Sequence, residues 1–168
     1  CETTAVPVSF NVMAEIKIGK IILKDIEYEI EYVELENDEK PFEKFILSLT
    51  LKERAKIFET INYFLELKNN NLPIKEKLSK HLEDGIFELR TYLSDKIART
   101  LYFYQKGAKI IITHGFIKKT QKTPSREIEK AKVLRKLDEM LEDLKEKITR
   151  NESKEILLQA IDSLQHQI

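Results

Sequence analysis

The chain has 168 residues, the size of one ordinary domain, and is 42% hydrophobic and 35% charged, which indicates a folded core rather than disorder. It contains no recognisable secretion signal and no apolar run near the roughly 20 residues that cross a bilayer, so we expect a cytoplasmic protein without a membrane partner. Its formal net charge is zero, yet residues 72–136 hold 16 Lys and Arg against 7 Asp and Glu, so this basic part can still bind anions.

The N-terminal region alternates apolar and other residues in the way that strands do. The alternation covers residues 6–12 and 16–18, and a further apolar run follows at residues 21–23. A half-buried strand is predicted from Ile26 to Tyr32, where apolar side chains alternate with glutamates. We expect residues 1–25 to be extra N-terminal strands or an added segment.

Two helices are predicted next. Pro41 suits the first turn of a short helix that ends at about Leu49. Thr50 and Glu53 have the spacing of a capping box, in which the hydroxyl and the carboxylate each satisfy a backbone amide, so a second helix should run to about Lys68. The basic residues that follow look irregular, and no regular element is predicted there.

Three segments rich in β-branched and aromatic residues then predict an antiparallel meander. They cover residues 86–91, 97–104 and 108–117. A helix should begin at Pro124, with Thr123 as its N-cap, and end near Ile148, while residues 149–152 would cap a last helix that pairs with it as a hairpin. The order predicts an α+β domain with an N-terminal strand and two helices, an antiparallel meander sheet and a C-terminal helix.

The strongest functional signal lies where the third of these strands turns into the helix. This basic corner gathers one histidine and three lysines: His114, Lys118, Lys119 and Lys122. Three ammonium groups within five residues repel one another, so the cluster suits solvent or a polyanion such as a nucleic-acid backbone. Further basic side chains extend the patch along the helix: Arg126, Lys130 and Lys132.

These elements and four sequence segments resemble the RelE/HigB superfamily of bacterial toxins, and in particular its phage-derived HigB-like branch. The segments are Gly85–Arg90 (GIFELR), Ala98–Tyr104 (ARTLYFY), Ile112–Pro124 (ITHGFIKKTQKTP) and Glu127–Ala131 (EIEKA). The resemblance spans roughly residues 27 to 137. It implies a RelE-like toxin domain at residues 26–137 and leaves residues 138–168 as a C-terminal helical extension.

The resemblance also implies an activity and partners. Such toxins are metal-independent endoribonucleases that cleave messenger RNA on the ribosome, inhibit translation and are neutralised by a cognate antitoxin. A small helix-turn-helix antitoxin is therefore the expected protein partner, and messenger RNA on the ribosome is the expected substrate. The sequence favours no oligomeric state.

The resemblance assigns roles to several basic residues. It places Arg99 where the superfamily keeps an arginine that contacts the scissile phosphate; the alternative is an ion pair with Glu88 on the adjoining strand. Arg90 would form the other half of a bidentate phosphate grip, or else a structural salt bridge. Lys80 and His81 fall where related toxins carry basic residues that help catalysis.

Metal-free RNA cleavage needs removal of the ribose 2′ proton, stabilisation of the charged phosphorane and protonation of the leaving oxygen. Because a free lysine has a pKa of about 10.4, we expect Lys118, Lys119 and Lys122 to act mainly as phosphate clamps in catalysis and RNA binding. Two more residues should bind RNA: Arg126 and Lys130. His114 could transfer a proton near neutral pH, but alternation places it on the face of Ile110, Ile112 and Phe116, which favours a core or supporting role.

Other chemistries lack a motif. Cys1 is the only cysteine, and no sequence pattern for a metal site, a nucleotide-binding loop or a nucleophilic triad is present, so no cofactor or metal is expected. The alternative function is a non-catalytic RNA- or ribosome-binding module, or a phage adaptor of the same fold. A scaffold built around the acidic C-terminal helix is a third interpretation.

Overall fold

The computed structural model describes residues 16–18, 21–23, 27–119 and 122–167. The strands are β1 Ile16–Ile18, β2 Ile21–Leu23, β3 Glu29–Tyr32, β4 Ser79–Glu83, β5 Ile86–Tyr92, β6 Ile97–Gln105 and β7 Lys109–Lys118. The helices are α1 Pro41–Leu47, α2 Leu51–Asn69 and α3 Ser125–Gln165. The predicted α+β class and element order are confirmed, while the predicted strand over residues 6–12 lies outside the described residues. None of the described helices is long and apolar enough to cross a membrane.

The main sheet has five strands in the order β3-β7-β6-β5-β4. Strands β5 to β7 form the predicted antiparallel meander, β4 extends it by pairing with β5, and β3 joins β7 in parallel. The first two strands form a separate antiparallel pair. The second helix begins as its sequence predicts, because Thr50 and Glu53 form a complete capping box.

The sheet separates two hydrophobic cores. Helices α1 and α2 pack on one face, around these buried residues: Phe42, Ile46, Ile57, Ile61, Phe64, Leu89, Ala98, Tyr102, Ile110 and Ile112. The first turns of α3 pack on the other face, around Val33, Ile86, Leu101, Phe103, Ile111, Ala131 and Leu134. The architecture is therefore three layers, with the sheet between two sets of helices.

A β-bulge in β7 corrects the predicted orientation of His114. His114 pairs with Leu101 and Ile112 pairs with Tyr102, so Thr113 is an extra residue between two consecutive positions of β6. The simple alternation therefore gave the wrong face relative to Ile112, which lies in the α1/α2 core. His114 shares the α3 face with Phe116, and their rings stack with centroids 6.0 Å apart.

Strand β4 was not predicted. Its sequence, Ser79–Glu83, holds one apolar residue and shows no useful alternation, but its backbone pairs with β5 at the edge of the sheet. The buried Ser79 hydroxyl also lies 2.7 Å from the Tyr102 hydroxyl, and this contact links β4 to the hydrophobic core. Tertiary pairing therefore supplies the order that local sequence does not.

The C-terminal helix corrects the predicted hairpin. Helix α3 continues for 41 residues, and no break occurs at residues 149–152. The Thr149 hydroxyl donates to the Lys145 carbonyl at 3.0 Å within the helix, so it does not cap a new one. Beyond the sheet, α3 exposes many apolar side chains, among them Met140, Leu144, Ile148, Ile156, Leu157, Leu158, Ile161 and Leu164.

The contact between α1 and β7 depends on the absence of a side chain at Gly115. A Cβ atom at this position would overlap the ring of Phe45. We expect Gly115→Ala to lower the free energy of unfolding by about 1–3 kcal/mol, because the ring or the backbone must move. Gly107→Asn is the control: an added Cβ at Gly107 meets no atom within 4 Å, and Asn adopts its positive φ of 78° with less strain than other L residues, so the loss should be smaller. Chemical denaturation would measure both, and equal stability of Gly115→Ala and the parent would contradict the packing argument.

Candidate functional site

Three rows of side chains cross the α3 face of the sheet, because directly opposed residues of antiparallel strands point to the same side. The first row is Lys80, Glu88, Leu101 and His114. The second is Arg90, Arg99 and Phe116, and the third is Tyr92, Ile97 and Lys118. The two arginines that the sequence singled out are therefore direct cross-strand neighbours.

Glu88 holds both arginines. Its Oε1 accepts hydrogen bonds from Arg99 Nη1 and from the Thr123 hydroxyl, and its Oε2 lies 2.9 Å from Arg90 Nε. The Thr123 oxygen in turn lies 3.1 Å from Arg99 Nη1. Both charged side chains of the Arg99–Glu88 pair are 0% exposed. One buried carboxylate therefore sets the positions of two cations and of the residue that leads into α3.

The environment of Arg99 matches the structural alternative that its sequence position allowed, an ion pair with Glu88. A contact between Arg99 and a phosphate stays a prediction, and the conformation described here gives its side chain no solvent access. The same contacts correct the predicted N-cap. Thr123 does not cap α3, because its hydroxyl is bonded to Glu88 and Arg99; Pro124 precedes the helix, which has no side-chain cap.

Arg90 is the more accessible arginine, with a side chain that is 14% exposed. Burial opposes its charge, but the nearby charge of Glu88 and their hydrogen bond outweigh burial and raise the pKa of Arg90 above its usual value. The guanidinium is thus fixed in place while part of it meets solvent. A fixed guanidinium is well suited to binding a phosphate oxygen.

His114 is buried beneath the start of α3. Its Nε2 lies 2.9 Å from Glu127 Oε2, and its Nδ1 lies 3.1 Å from the Thr113 hydroxyl. Burial lowers the pKa of His114 more than the hydrogen bond to Glu127 raises it, so the ring is neutral near pH 7. With 1% of its surface exposed, His114 joins β7 to α3 through Glu127, and its part in catalysis, direct or supporting, stays a prediction.

The basic corner is only partly buried. Lys118 ends β7 and is half-buried, Lys119 and Lys122 are exposed, and the two residues between them lie outside the described residues. Arg126, with a side chain 86% exposed, and the exposed Lys130 lie four residues apart on one side of the first turns of α3. The positive end of the α3 helix dipole adds to this potential.

Lys132 does not extend the corner as the sequence predicted. Its ammonium group lies 3.5 Å from a Glu83 oxygen, 3.0 Å from an Asp84 oxygen and 3.1 Å from a Glu129 oxygen. Hydrogen bonds from Lys132 to Asp84 and Glu129 raise its pKa, and the three carboxylates together offset its charge. The patch available to a ligand therefore stops short of Lys132.

The residues at the edge strand separate into two groups. Lys80 is exposed and opposes Glu88, so it shares the α3 face with Arg90 and Arg99. His81 points to the other face, where its ring meets Phe87 edge-on and its Nε2 accepts from the Gly85 amide at 3.2 Å. The structure thus brings Lys80, but not His81, to the arginines.

The contact of Glu127 with His114 and that of Thr123 with Glu88 were not predicted, because they form only once α3 lies on the sheet. No local pattern distinguishes a carboxylate that meets a buried histidine from one in a solvated first turn. In the described part of the chain, no three His, Cys, Asp or Glu side chains lie close enough together to hold a metal ion.

Residues 44–136 match the family described as phage-derived protein Gp49-like (DUF891). This match covers more than half of the chain, including the second half of α1, all of α2, the meander and the first turns of α3. The chain belongs to the Gp49-like family. This is a RelE/HigB-like toxin family of toxin–antitoxin systems, which agrees with the resemblance and with the fold. No curated protein matches the chain closely enough to add to this assignment.

As a Gp49-like protein, the chain is toxin-like, and its family implies an antitoxin partner in general terms. Helix α3 continues about 29 residues beyond the matched region, from residue 137 to Gln165. The residues of the site described above all lie within the match.

Removing the charge of Glu88 should unfold this Gp49-like protein more readily. We expect Glu88→Gln to lower the free energy of unfolding by about 3–5 kcal/mol, because Arg99 would keep a buried charge without a counter-charge. Glu83→Gln removes a carboxylate of the neighbouring strand that is 49% exposed and should cost less than about 1 kcal/mol. Denaturant titrations of both variants would measure the difference, and similar losses would contradict the central role of Glu88.

His114 should make stability depend on pH. Its pKa is lower in the folded protein than the ordinary value of 6.5, so the unfolded chain binds the extra proton first as pH falls. The free energy of unfolding should therefore fall as pH drops through the ordinary histidine range. His114→Gln should remove this part of the pH dependence, whereas His166→Gln, at an exposed position, should keep it. Denaturation between about pH 5 and 8 would test this, and parallel profiles for all three proteins would disprove it.

Proposed function

We propose that this chain is a HigB-like toxin, a ribosome-dependent and metal-independent endoribonuclease that cleaves messenger RNA and inhibits translation. The toxin domain would occupy residues 26–137, with residues 138–168 as a helical extension. A cognate helix-turn-helix antitoxin would neutralise it in the cytoplasm. The proposal rests on one arrangement: basic side chains converge at the end of the α3 face, in a chain of the Gp49-like family.

Cations of all three rows contribute to this arrangement. Lys80 lies in the first row, Arg90 lies in the second beside Arg99, and Lys118 ends the third. Glu88, which lies between these cations, is 0% exposed and bonded to two arginines, so their charges offset its negative charge. The resulting surface is complementary to successive phosphates of a single strand.

In the proposed reaction, the ribose 2′ oxygen attacks the adjacent phosphorus, and the bond from phosphorus to the 5′ oxygen breaks. The 2′ oxygen loses a proton and the leaving oxygen gains one. Lys118, Lys119, Lys122 and Arg90 would stabilise the charge that develops on the phosphorane oxygens, often the largest single contribution to such catalysis. Lys80 would assist at the edge of the groove, and Arg126 and Lys130 would bind neighbouring phosphates.

Arg99 would act through Glu88 rather than by direct contact in the conformation described here. Its buried ion pair fixes the carboxylate, and the carboxylate fixes the guanidinium of Arg90. Arg99 is thus proposed as a positioning residue. His114 would contribute in the same indirect way, because it holds the start of α3 against β7 through Glu127.

The alternative function, a non-catalytic RNA- or ribosome-binding module or a phage adaptor, uses the same basic surface. It differs in one observable respect: the protein would bind RNA or ribosomes and leave the messages intact. Growth arrest alone does not separate the two functions, so the decisive measurement is cleavage.

The basic corner gives the sharpest test. We expect the triple variant Lys118→Gln, Lys119→Gln, Lys122→Gln to reduce message cleavage after induced expression by at least about 100-fold, because phosphorane charge would lose its partners. A matched triple variant on the exposed part of α3, Lys145→Gln, Lys147→Gln, Lys154→Gln, removes the same charge and should cleave like the parent. Mapping of RNA 5′ ends from translating cells would measure both.

Three results separate the hypotheses. Cleavage by the parent that the corner variant loses and the α3 variant keeps would support the enzyme and its site. Cleavage by all three proteins would reject the corner as part of the site. Intact messages with the parent, despite ribosome binding in sedimentation, would reject the enzyme and favour the binding module.

A further inference from the structure

A second basic surface lies at the edge of the sheet, away from the basic corner. A cleft of about 500 Å³ separates α2 from β5 and the segment that leads into β4. It is lined by Lys56, Glu59, Thr60, Tyr63, Lys77, Leu78, Arg90 and Tyr92. Arg90 and Tyr92 also belong to the rows on the α3 face, whereas the other lining residues lie outside them.

Each wall of the cleft contributes an exposed tyrosine and a lysine. Lys56, Thr60 and Tyr63 are spaced by four and three residues, so they share one side of α2, and 53% of Tyr63 is exposed. On the opposite wall, 44% of Tyr92 is exposed, while its hydroxyl donates to the Lys77 carbonyl at 2.9 Å. That hydrogen bond ties the aromatic ring of Tyr92 to the segment that carries Lys77.

The charge of the cleft is positive. Three cations line it, Lys56, Lys77 and Arg90, with one carboxylate, Glu59, which lies 4.0 Å from Lys56. Arg90 is also paired with the buried Glu88, so Lys56 and Lys77 carry most of the available positive charge. Both side chains of the Lys56–Glu59 pair are more than half exposed, so water screens their attraction and an incoming anion can compete for the lysine. Two tyrosines and three cations around one cavity suit a ligand that carries both a flat ring and a phosphate.

We propose that this cleft is a subsite for one unpaired nucleotide of single-stranded RNA, with Tyr63 and Tyr92 receiving the base and Lys56 and Lys77 receiving phosphate. The proposal deepens the proposed function and rests on it for the identity of the ligand. Arg90 joins the two regions, since it lines the cleft and is bonded to Glu88 of the catalytic site. A strand held at Arg90 would thereby extend beyond the scissile position to the edge of the sheet.

The test measures binding without cleavage. The full chain is titrated with a fluorescent, unstructured oligonucleotide of about eight nucleotides whose 2′ oxygens are methylated, and anisotropy reports the dissociation constant. Because stacking on one aromatic ring contributes about 1–3 kcal/mol, Tyr63→Ala and Tyr92→Ala should each weaken binding by roughly 5- to 150-fold. Tyr63→Phe should bind like the parent, because it keeps the ring.

Matched controls separate the cleft from a general loss of aromatic or charged surface. Tyr32→Ala removes a tyrosine of similar exposure, 42%, outside the cleft and should leave binding unchanged. Lys56→Gln combined with Lys77→Gln should weaken binding and reduce its salt dependence, whereas Lys145→Gln with Lys147→Gln should do neither. Circular dichroism would establish that each variant is folded.

Competition identifies what the cleft recognises. A nucleoside monophosphate should displace the oligonucleotide from the parent at lower concentration than inorganic phosphate, and Tyr63→Ala should abolish this difference. Equal competition by the two ligands would overturn the base subsite, as would unchanged binding of both tyrosine-to-alanine variants or no binding by the parent. If the triple variant of the basic corner stops message cleavage while the tyrosine variants bind the oligonucleotide like the parent, only this inference fails. Tyrosine-dependent binding by a parent that cleaves no message would instead leave the subsite standing and remove the proposed enzyme.

Discussion

The structure depends on the carboxylate of Glu88, a charge that is fully buried and bonded to two arginines from adjacent strands and to Thr123. Burying three ionised groups is costly, and these groups tolerate burial only because each meets a partner of opposite charge or a hydroxyl. The same contacts decide where the chain leaves the sheet, since Thr123 stands two residues before α3 begins. The need to neutralise Glu88 in the interior therefore also fixes the position of Arg90, whose side chain partly meets solvent.

The two faces of the sheet serve different purposes. One face is covered by α1 and α2 and is largely apolar. The other is apolar only under the first turns of α3; next to that contact it carries rows of charged side chains. Because one helix covers only part of this face, an open surface remains beside the N-terminal end of α3. There the positive end of the helix dipole and the basic side chains both add to the positive potential. One part of the α3 face thus contributes to the hydrophobic core, and the part beside it forms a polar groove.

Much of this organisation is local and could be predicted from sequence. Thr50 with Glu53, the three β-rich segments and the apolar stripes of the helices are short-range signals, and the structure follows them. The predictions that failed share a cause: the structure of these residues depends on partners that are distant in the sequence. Strand β4 forms because its backbone pairs with β5. Thr123 does not cap α3, because its hydroxyl donates a hydrogen bond to Glu88. For the site, the sequence identified the cations but not their arrangement, because burial of Arg99 and exposure of Arg90 follow from the packing of α3.

The bulge at Thr113 makes the length of β7 as important as its composition. With Thr113 present, Ile110 and Ile112 enter one core while His114 and Phe116 enter the opposite one. Regular pairing of the same residues, without the bulge, would instead carry the imidazole into the apolar layer under α1 and α2 and separate it from Glu127. A one-residue insertion beside the bulge would turn side chains to the opposite faces in the same way, so insertions in this strand should be selected against more strongly than many substitutions. A homologue that lacks the extra residue should keep its histidine on the α3 face, because the residues on either side of Thr113 would then pair with consecutive residues of β6 and alternate without a bulge.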